Sequence, residues 1–431
     1  MTSKGIKDCL IRRYILETKQ IIHPFELPAS KLPVLNKPIC EHQEDIFRDL
    51  KIKEKPVLIS SLEETTPSTS HTLAYRDNIY FNKELILEFL NKASVIGKPS
   101  RLAFSDADPC FSVHISYPQH NMEHVGNLYL ADIFFFPAGA QGNDFTPVIL
   151  DTKSIPLSCF SLPPSELDLC AGQESSKKPT YNSPIALHPA APPLQLQVPR
   201  LSYIAIRHWV QLLFANFTWG IHCQIRQLNT EIGNQNLSFK KTLSQTIRNR
   251  GPIKIGRDCQ IDPTATIIGP TTIGDGVFIG PNVTVVAAYI GDNAVLEPGC
   301  TFWFGVLGAR SSLLANRNLV MSCVMNDSII NTDIRFSIVG SNSFLGTGTH
   351  ITDCILRNAN EDELGMNNSK INSPMVKVLV DDEIVNSGYY VLGPAIGNRV
   401  KIGSGIIIYP GRMIKSDSLL LPKEGDYIID K

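Results

Sequence analysis

Residues 255–302 read IGRDCQIDPTATIIGPTTIGDGVFIGPNVTVVAAYIGDNAVLEPGCTF, with an aliphatic side chain returning every sixth residue at Ile255, Ile261, Ile267, Ile273, Ile279 and Val285. Four positions further on stand Cys259, Ala265, Thr271, Val277 and Val283, short side chains suited to a narrow interior. After a slip of one residue the series resumes at Ile290, Leu296 and Phe302, with Ala294, Cys300 and Val306 four residues on. A half-buried strand repeats every second residue and a helix every 3.6, so a period of six belongs to neither. Short strands and turns wound into coils give such a period, and because one coil cannot bury its own face, several must stack. Gly274, Gly280 and Gly291 follow the inward residue, where a side chain would crowd the corner. The expectation is a left-handed parallel β-helix of hexapeptide repeats.

The pattern returns at Val324 and Ile330, at Val339, Leu345 and Ile351, and at Ile396, Ile402, Ile408 and Ile414. Two interruptions are expected, a short one at 307–319 and a longer one at 357–394. The second opens with RNANEDELGMNNSKINSP, too polar to pack, and continues with MVKVLVDDEIVNSGYYVL, which reads as a hairpin turning at Asp381-Asp382.

Upstream, residues 165–200 carry Pro179, Pro184, Pro189, Pro192, Pro193 and Pro199, which no helix or interior strand tolerates. The following LSYIAIRHWVQLLFANFTWGIHCQI is apolar, but Arg207, His208, Gln211, Asn216 and His222 would be costly in hydrocarbon, so it reads as a buried helix between two domains. Before the linker, β-like runs at 56–60, 78–81, 101–104, 111–116, 127–136 and 146–150 alternate with helical stretches at 41–50 and 82–93, a mixed α/β pattern. The division is therefore an α/β domain at 1–164, a Pro-rich linker with a connecting apolar helix at 165–250, and the all-β helix at 251–431.

With 40 Lys plus Arg against 41 Asp plus Glu, the net charge of -1 shows no basic surplus for nucleic acid or anionic membrane. The N-terminus has no apolar run of signal-peptide length, and the ten cysteines form no C-x-x-C pair. Free thiols and a cytoplasmic location follow. The string His120-Asn121-Met122-Glu123-His124 spells H-x-x-E-H, which binds zinc only on a helix; between Pro118 and Gly126 it reads as a connecting loop.

The stretch LPVLNKPICEH at 32–42 resembles the sugar-1-phosphate nucleotidyltransferase family, whose members carry an L-P-V-x-N-K-P-x-x-E-H-like element. Many members also carry a C-terminal hexapeptide β-helix, joined through a helix with a Trp/Asn spacing like that of Trp209 and Asn216. The resemblance implies a nucleotidyltransferase-like N-terminal domain that binds a sugar phosphate or nucleotide sugar. It places Lys37 near the site and Lys31 close to a second family lysine, with Asp106 and Asp108 as ligands for Mg²⁺. One departure stands out. The family's glycine-rich phosphate loop is missing, for RRYILETKQIIHPFELPAS at 12–30 has no glycine.

Two other functions remain open. This type of β-helix also supports acyl or acetyl transfer onto sugar nucleotides, with acetyl-CoA or another acyl donor lying between subunits. His350, beside the inward Ile351, would then face outward as general base. Trp303 and Phe304 would stack on a ligand base or form a subunit contact in a homo-oligomer, most simply a trimer. The third reading is a non-catalytic assembly or regulatory protein, which the missing phosphate loop favours.

Overall fold

The computed structural model describes residues 11–114, 122–153, 155–158, 195–220, 253–355, 375–423 and 428–429. The chain divides into two compact units, one of Met1–Ile22, Leu27–Ile155 and Gln197–Ala215, the other of His23–Glu26, Pro156–Leu196 and Asn216–Lys431.

The first unit is built on a mixed sheet. Its strands are β1 (Ile11–Leu16), β2 (Val57–Ile59), β3 (His71–Arg76), β4 (Ser100–Ser105), β5 (Leu128–Phe136) and β6 (Thr146–Leu150). In space they run β2-β1-β3-β5-β4-β6, with β5 antiparallel to both neighbours and the others parallel; the short strand Glu123–Val125 pairs with β5. One face is covered by α1 (Ile39–Asp49), which buries Ile39, Gln43 and Phe47, and by α2 (Lys83–Ile96), which buries Leu85, Ile86, Phe89, Leu90 and Ala93. Helix α2 starts where the Asn82 side chain accepts the Leu85 N–H and stops at Gly97, whose φ of 65° a side chain would resist. The other face holds a smaller cluster of Tyr14, Leu16, Ile59, Ala74, Phe134 and Phe136, packed by Leu62 and Phe145. Residues 203–205 pair as a strand with Ile79–Phe81. The apolar segment forms α3 (Trp209–Phe214), followed by a π-helical turn over Ala215–Gly220.

Residues 111–116, read above as a strand, begin instead as a helix, Pro109–His114. The reason is local: the Asp108 carboxylate accepts the Cys110 N–H at 3.0 Å, capping a helix whose first residue is proline.

The second unit is a left-handed parallel β-helix. On one side Ile255, Ile273, Ile290, Leu307, Val324, Val339, Ile396 and Ile414 pair in succession. On the second, Ile261, Ile279, Leu296, Leu313, Ile330, Leu345, Ile402 and Leu420 do the same. On the third, Ile267, Val285, Phe302, Leu319 and Ile334 align, and Ile351 meets Ile408. These side chains, with Ala265, Val277, Val283, Ala294 and Cys300, make one continuous core. Coil-to-coil bonds span 18, 17 or 15 residues, so the slip near Ile290 is a change of coil length and not a break.

The interruption expected at 307–319 does not occur. Leu307, Leu313 and Leu319 are fully buried and in register, six residues apart like the isoleucines before them. Leucine fills the interior as isoleucine does, and Gly308 follows Leu307 as Gly291 follows Ile290. The hairpin of 375–392 does form, as Lys377–Val380 against Glu383–Asn386, with Asp381 and Asp382 both at positive φ. The polar part of that excursion lies outside the described residues.

Corners are set by backbone conformation. One column comprises Asp258, Gly276, Asn293, Arg310, Asp327, Asn342, Arg399 and Asp417, all with φ between 55° and 67°. Gly, Asn and Asp enter this left-handed region most easily. Where arginine occupies it, the side chain pairs with an aspartate one coil on: Arg310 with Asp327 at 2.6 Å and Arg399 with Asp417 at 2.6 Å.

Candidate functional site

In the first unit β2 lies on one side of β1 and β3 on the other, so successive strands leave β1 in opposite directions. Open α/β sheets bind ligands outside the strand carboxyl ends at such a switch point. Here the ends are Leu16 and Arg76, paired in register. Just beyond them the Asp77 N–H donates to the Leu16 carbonyl, and the Thr18 N–H donates to the Asp77 carboxylate at 3.0 Å. The Gln20 side-chain amide donates to the Arg207 carbonyl at 3.1 Å and so ties the loop after β1 to the segment before α3.

That loop leads to a tight hairpin, Pro33–Val34 against Lys37–Pro38, whose Leu35 and Asn36 both have positive φ, as a two-residue type I′ turn requires. The resemblance element is thus a hairpin feeding α1. Lys37 pairs with the Asp45 carboxylate, which also accepts from Arg48 at 2.8 Å and is held below the usual carboxylate range by its Lys37 bond against the opposing effect of burial. The His42 ring lies 2.6 Å from the Val34 carbonyl and edge-on to Tyr80. Burial, helped by the charge of Lys37, holds His42 at about 4, so the ring is neutral near pH 7 and donates to Val34. Lys31 is exposed on a 3-10 turn, Ala29–Lys31.

Asp106 and Asp108 follow β4 directly, but their surroundings differ. Asp108 is buried, and its two oxygens accept from the Cys110 N–H, the Thr152 N–H and the Thr152 hydroxyl at 2.6 to 3.0 Å. This carboxylate joins the start of a helix to the end of β6. Asp106 is partly exposed, 3.6 Å from the His124 ring. Among the described residues no group of three His, Cys, Asp or Glu side chains is placed to hold a metal. Glu123 and His124 lie on a strand, away from the helical geometry that H-x-x-E-H chemistry needs.

A charged cluster that no motif announces is centred on Asp132 of β5. Asp132, 13% exposed at its side chain, faces Arg76 Nε at 2.6 Å, Arg101 Nη2 at 2.8 Å and Arg207 Nη2 at 3.4 Å. Arg101 also donates to Glu123 and to the Ala131 carbonyl, and stacks over the Phe134 ring. The register between β5 and β4 shifts between Leu130 and Phe134, a bulge that contains Asp132. No local spacing announces this group, since its arginines lie at positions 76, 101 and 207.

On the β-helix, Trp303 is 45% exposed, in line with Val286 and Val320 of the neighbouring coils. Phe304 turns at the corner and packs against Ile268, Val286 and Ala287. His350 is exposed and starts a strand that pairs with Ile407–Ile408; its ring has no hydrogen-bond partner among the described residues.

Comparison with known proteins adds two findings. The family described as bacterial transferase hexapeptide (six repeats) matches residues 252–287. Three curated proteins, each named bifunctional protein GlmU, are similar to the chain. That of Ruthia magnifica is 25% identical over 202 residues, 43% of this chain and 42% of its own. That of Marinobacter nauticus is 28% identical over 169 residues, 38% and 37% of the two chains, and that of Pseudoalteromonas atlantica 25% over 166 residues, 37% and 36%. The chain thus aligns with about two-fifths of the length of these relatives. With the fold, these likenesses support a nucleotidyltransferase-like protein carrying a C-terminal hexapeptide β-helix.

Proposed function

We propose that the first unit binds a sugar phosphate or a nucleotide sugar outside the carboxyl ends of β1 and β3, as a relative of sugar-nucleotide transferases whose pyrophosphorylase chemistry has been lost or nearly so. The observation that carries this reading is the switch point between β1 and β3, where the hydrogen bonds of Asp77, Thr18 and Gln20 shape the strand ends. The likeness to the GlmU proteins supports the ligand class. Loss of turnover rests on the glycine-free loop after β1, whose backbone amides cannot cradle a triphosphate as a glycine loop does. Lys37 supplies charge near the hairpin but is engaged by Asp45, and Lys31 stands in solvent. Of the two aspartates assigned to Mg²⁺, only Asp106 has a carboxylate left to offer.

In this reading the β-helix assembles the chain as a homotrimer in the cytoplasm, and residues 165–250 link the two domains. No helix among the described residues is long and apolar enough to cross a membrane. Acyl transfer, with His350 as base and Trp303 beside the donor, has weaker support. A general base works best when a second group orients its ring, and none is bonded to His350 among the described residues. A thermal-shift panel of UTP, UDP-sugars, sugar phosphates and acetyl-CoA separates the readings. A ligand at a hundred times its Kd stabilises the folded state by about 2.7 kcal/mol. A rise in Tm with a sugar phosphate or UDP-sugar is expected; a rise with acetyl-CoA alone would favour the acyl reading instead.

A further inference from the structure

The cluster around Asp132 carries more positive charge than its own carboxylates balance. Three guanidiniums, those of Arg76, Arg101 and Arg207, meet two carboxylates, Asp132 and Glu123. The members are not equivalent. Arg101 is committed on all three nitrogens, to Ala131, Glu123 and Asp132, and its side chain is only 14% exposed. Arg76 bonds Asp132 through Nε alone, and among the described residues its two terminal amino groups have no partner. Arg207 reaches Asp132 only through Nη2, at 3.4 Å. The side chain of Arg76 is 38% exposed, so its unbonded edge opens to solvent.

Position gives a second, independent pointer. Arg76 is the last residue of β3, in register with Leu16 at the switch point, and Arg207 is tied to the loop after β1 by Gln20. The bulge in β5 brings Asp132 to the same end of the sheet, and such bulges re-aim side chains beside binding sites.

We propose that Arg76 and Arg207, oriented by Asp132 and braced by Arg101, form an oxyanion subsite that grips a phosphate group of the ligand. Planar guanidiniums offer paired N–H donors that match phosphate oxygens, and they are charged at every physiological pH. Side chains here take over the task that backbone amides perform in a glycine-rich loop. The ligand's charge completes the cluster, whose surplus guanidinium otherwise faces water.

The subsite deepens the function proposed above and rests on that reading for the identity of the ligand, but not for its chemistry. The test titrates full-length protein with inorganic pyrophosphate, a sugar 1-phosphate and UTP by calorimetry, with Arg76→Gln and Arg207→Gln beside the wild type. Each variant is expected to lose at least tenfold in affinity for every phosphate compound that the wild type binds, and Arg399→Gln on the β-helix none. Modification of the wild type by phenylglyoxal, mapped by mass spectrometry, avoids any question of variant folding. Bound ligand should protect Arg76 and Arg207 and leave the exposed Arg48 reactive. Binding of pyrophosphate but not of the sugar phosphate, with the same arginine dependence, would support the subsite while removing the sugar-phosphate reading. Binding without protection of Arg76, or unchanged affinity in both variants, would overturn the subsite and leave that reading standing. No binding of any phosphate compound would overturn the subsite as well.

Discussion

His42 shows how a single residue of the resemblance element ties chemistry to stability. Burial lowers its pKa from 6.5 to about 4 in the folded chain. Between those values the unfolded chain binds the proton and the folded chain does not, so stability falls as pH drops through the window and levels off below it. The full effect is at most about 3.5 kcal/mol, from roughly 1.4 kcal/mol per pKa unit. Urea midpoints from pH 7 to pH 4 should therefore fall more steeply for the wild type than for His42→Gln. Parallel curves would show that another group governs the acid response. Asp108 carries a different expectation. Its carboxylate caps Pro109–His114 and holds Thr152, so Asp108→Ala should destabilise by roughly 2–4 kcal/mol, the sum of a lost cap and an unpaired buried donor. A change below half of that in chemical denaturation would mean that the pairing is dispensable.

Among the elements, the coils were the most legible and the first unit the least. Six-residue spacing exposes the β-helix because the residue that returns every six positions is apolar and the corner residues repeat, as Asp258, Gly276 and Asn293 do. At Leu307, Leu313 and Leu319 the six-residue spacing holds, but leucine stands where the earlier coils carry isoleucine, so the stretch reads as a break. The sequence reading also overlooked β1 and β3, since IRRYIL and HTLAYR mix charged residues into strands whose outward positions face other side chains. The strand reading of 111–116 passes over Asp108-Pro109, since aspartate before proline is a start signal for a helix. The arginine cluster could not be seen, because only the sheet order and the pairing of 203–205 with Ile79–Phe81 bring positions 76, 101 and 207 together. Two substitutions test the register. Ile279→Asp buries an unpaired carboxylate in the core and should cost several kcal/mol, on the order of 3–5. Leu313→Ala, inside the stretch that first read as a break, should cost about 2–5 kcal/mol. Wild-type melting of either would contradict the coil assignment. Gly308 has a separate reason to be glycine, since a Cβ there would lie 2.3 Å from the Met325 carbonyl carbon of the next coil.

At the scale of the whole molecule, the β-helix presents apolar side chains outward as well as inward. Phe278, Ile329, Phe344 and Leu419 stand in one column along its second side, and Trp303 stands on the third. Such a face invites burial against other copies of the chain, and light scattering should give three times the 47.6 kDa mass at micromolar concentration. A monomer would remove both the trimer and the acyltransfer site that needs a subunit boundary. In the function proposed above, the first unit has kept a ligand site and lost the glycine-rich loop that pyrophosphorylase chemistry needs. The most direct measurement is a coupled pyrophosphate-release assay over UTP, CTP, GTP, dTTP and ATP with common sugar 1-phosphates and Mg²⁺. Release at or near background with every pair is expected. Robust turnover with any pair, abolished by Lys37→Ala, would contradict the account and make the protein an active nucleotidyltransferase that holds its triphosphate by other means.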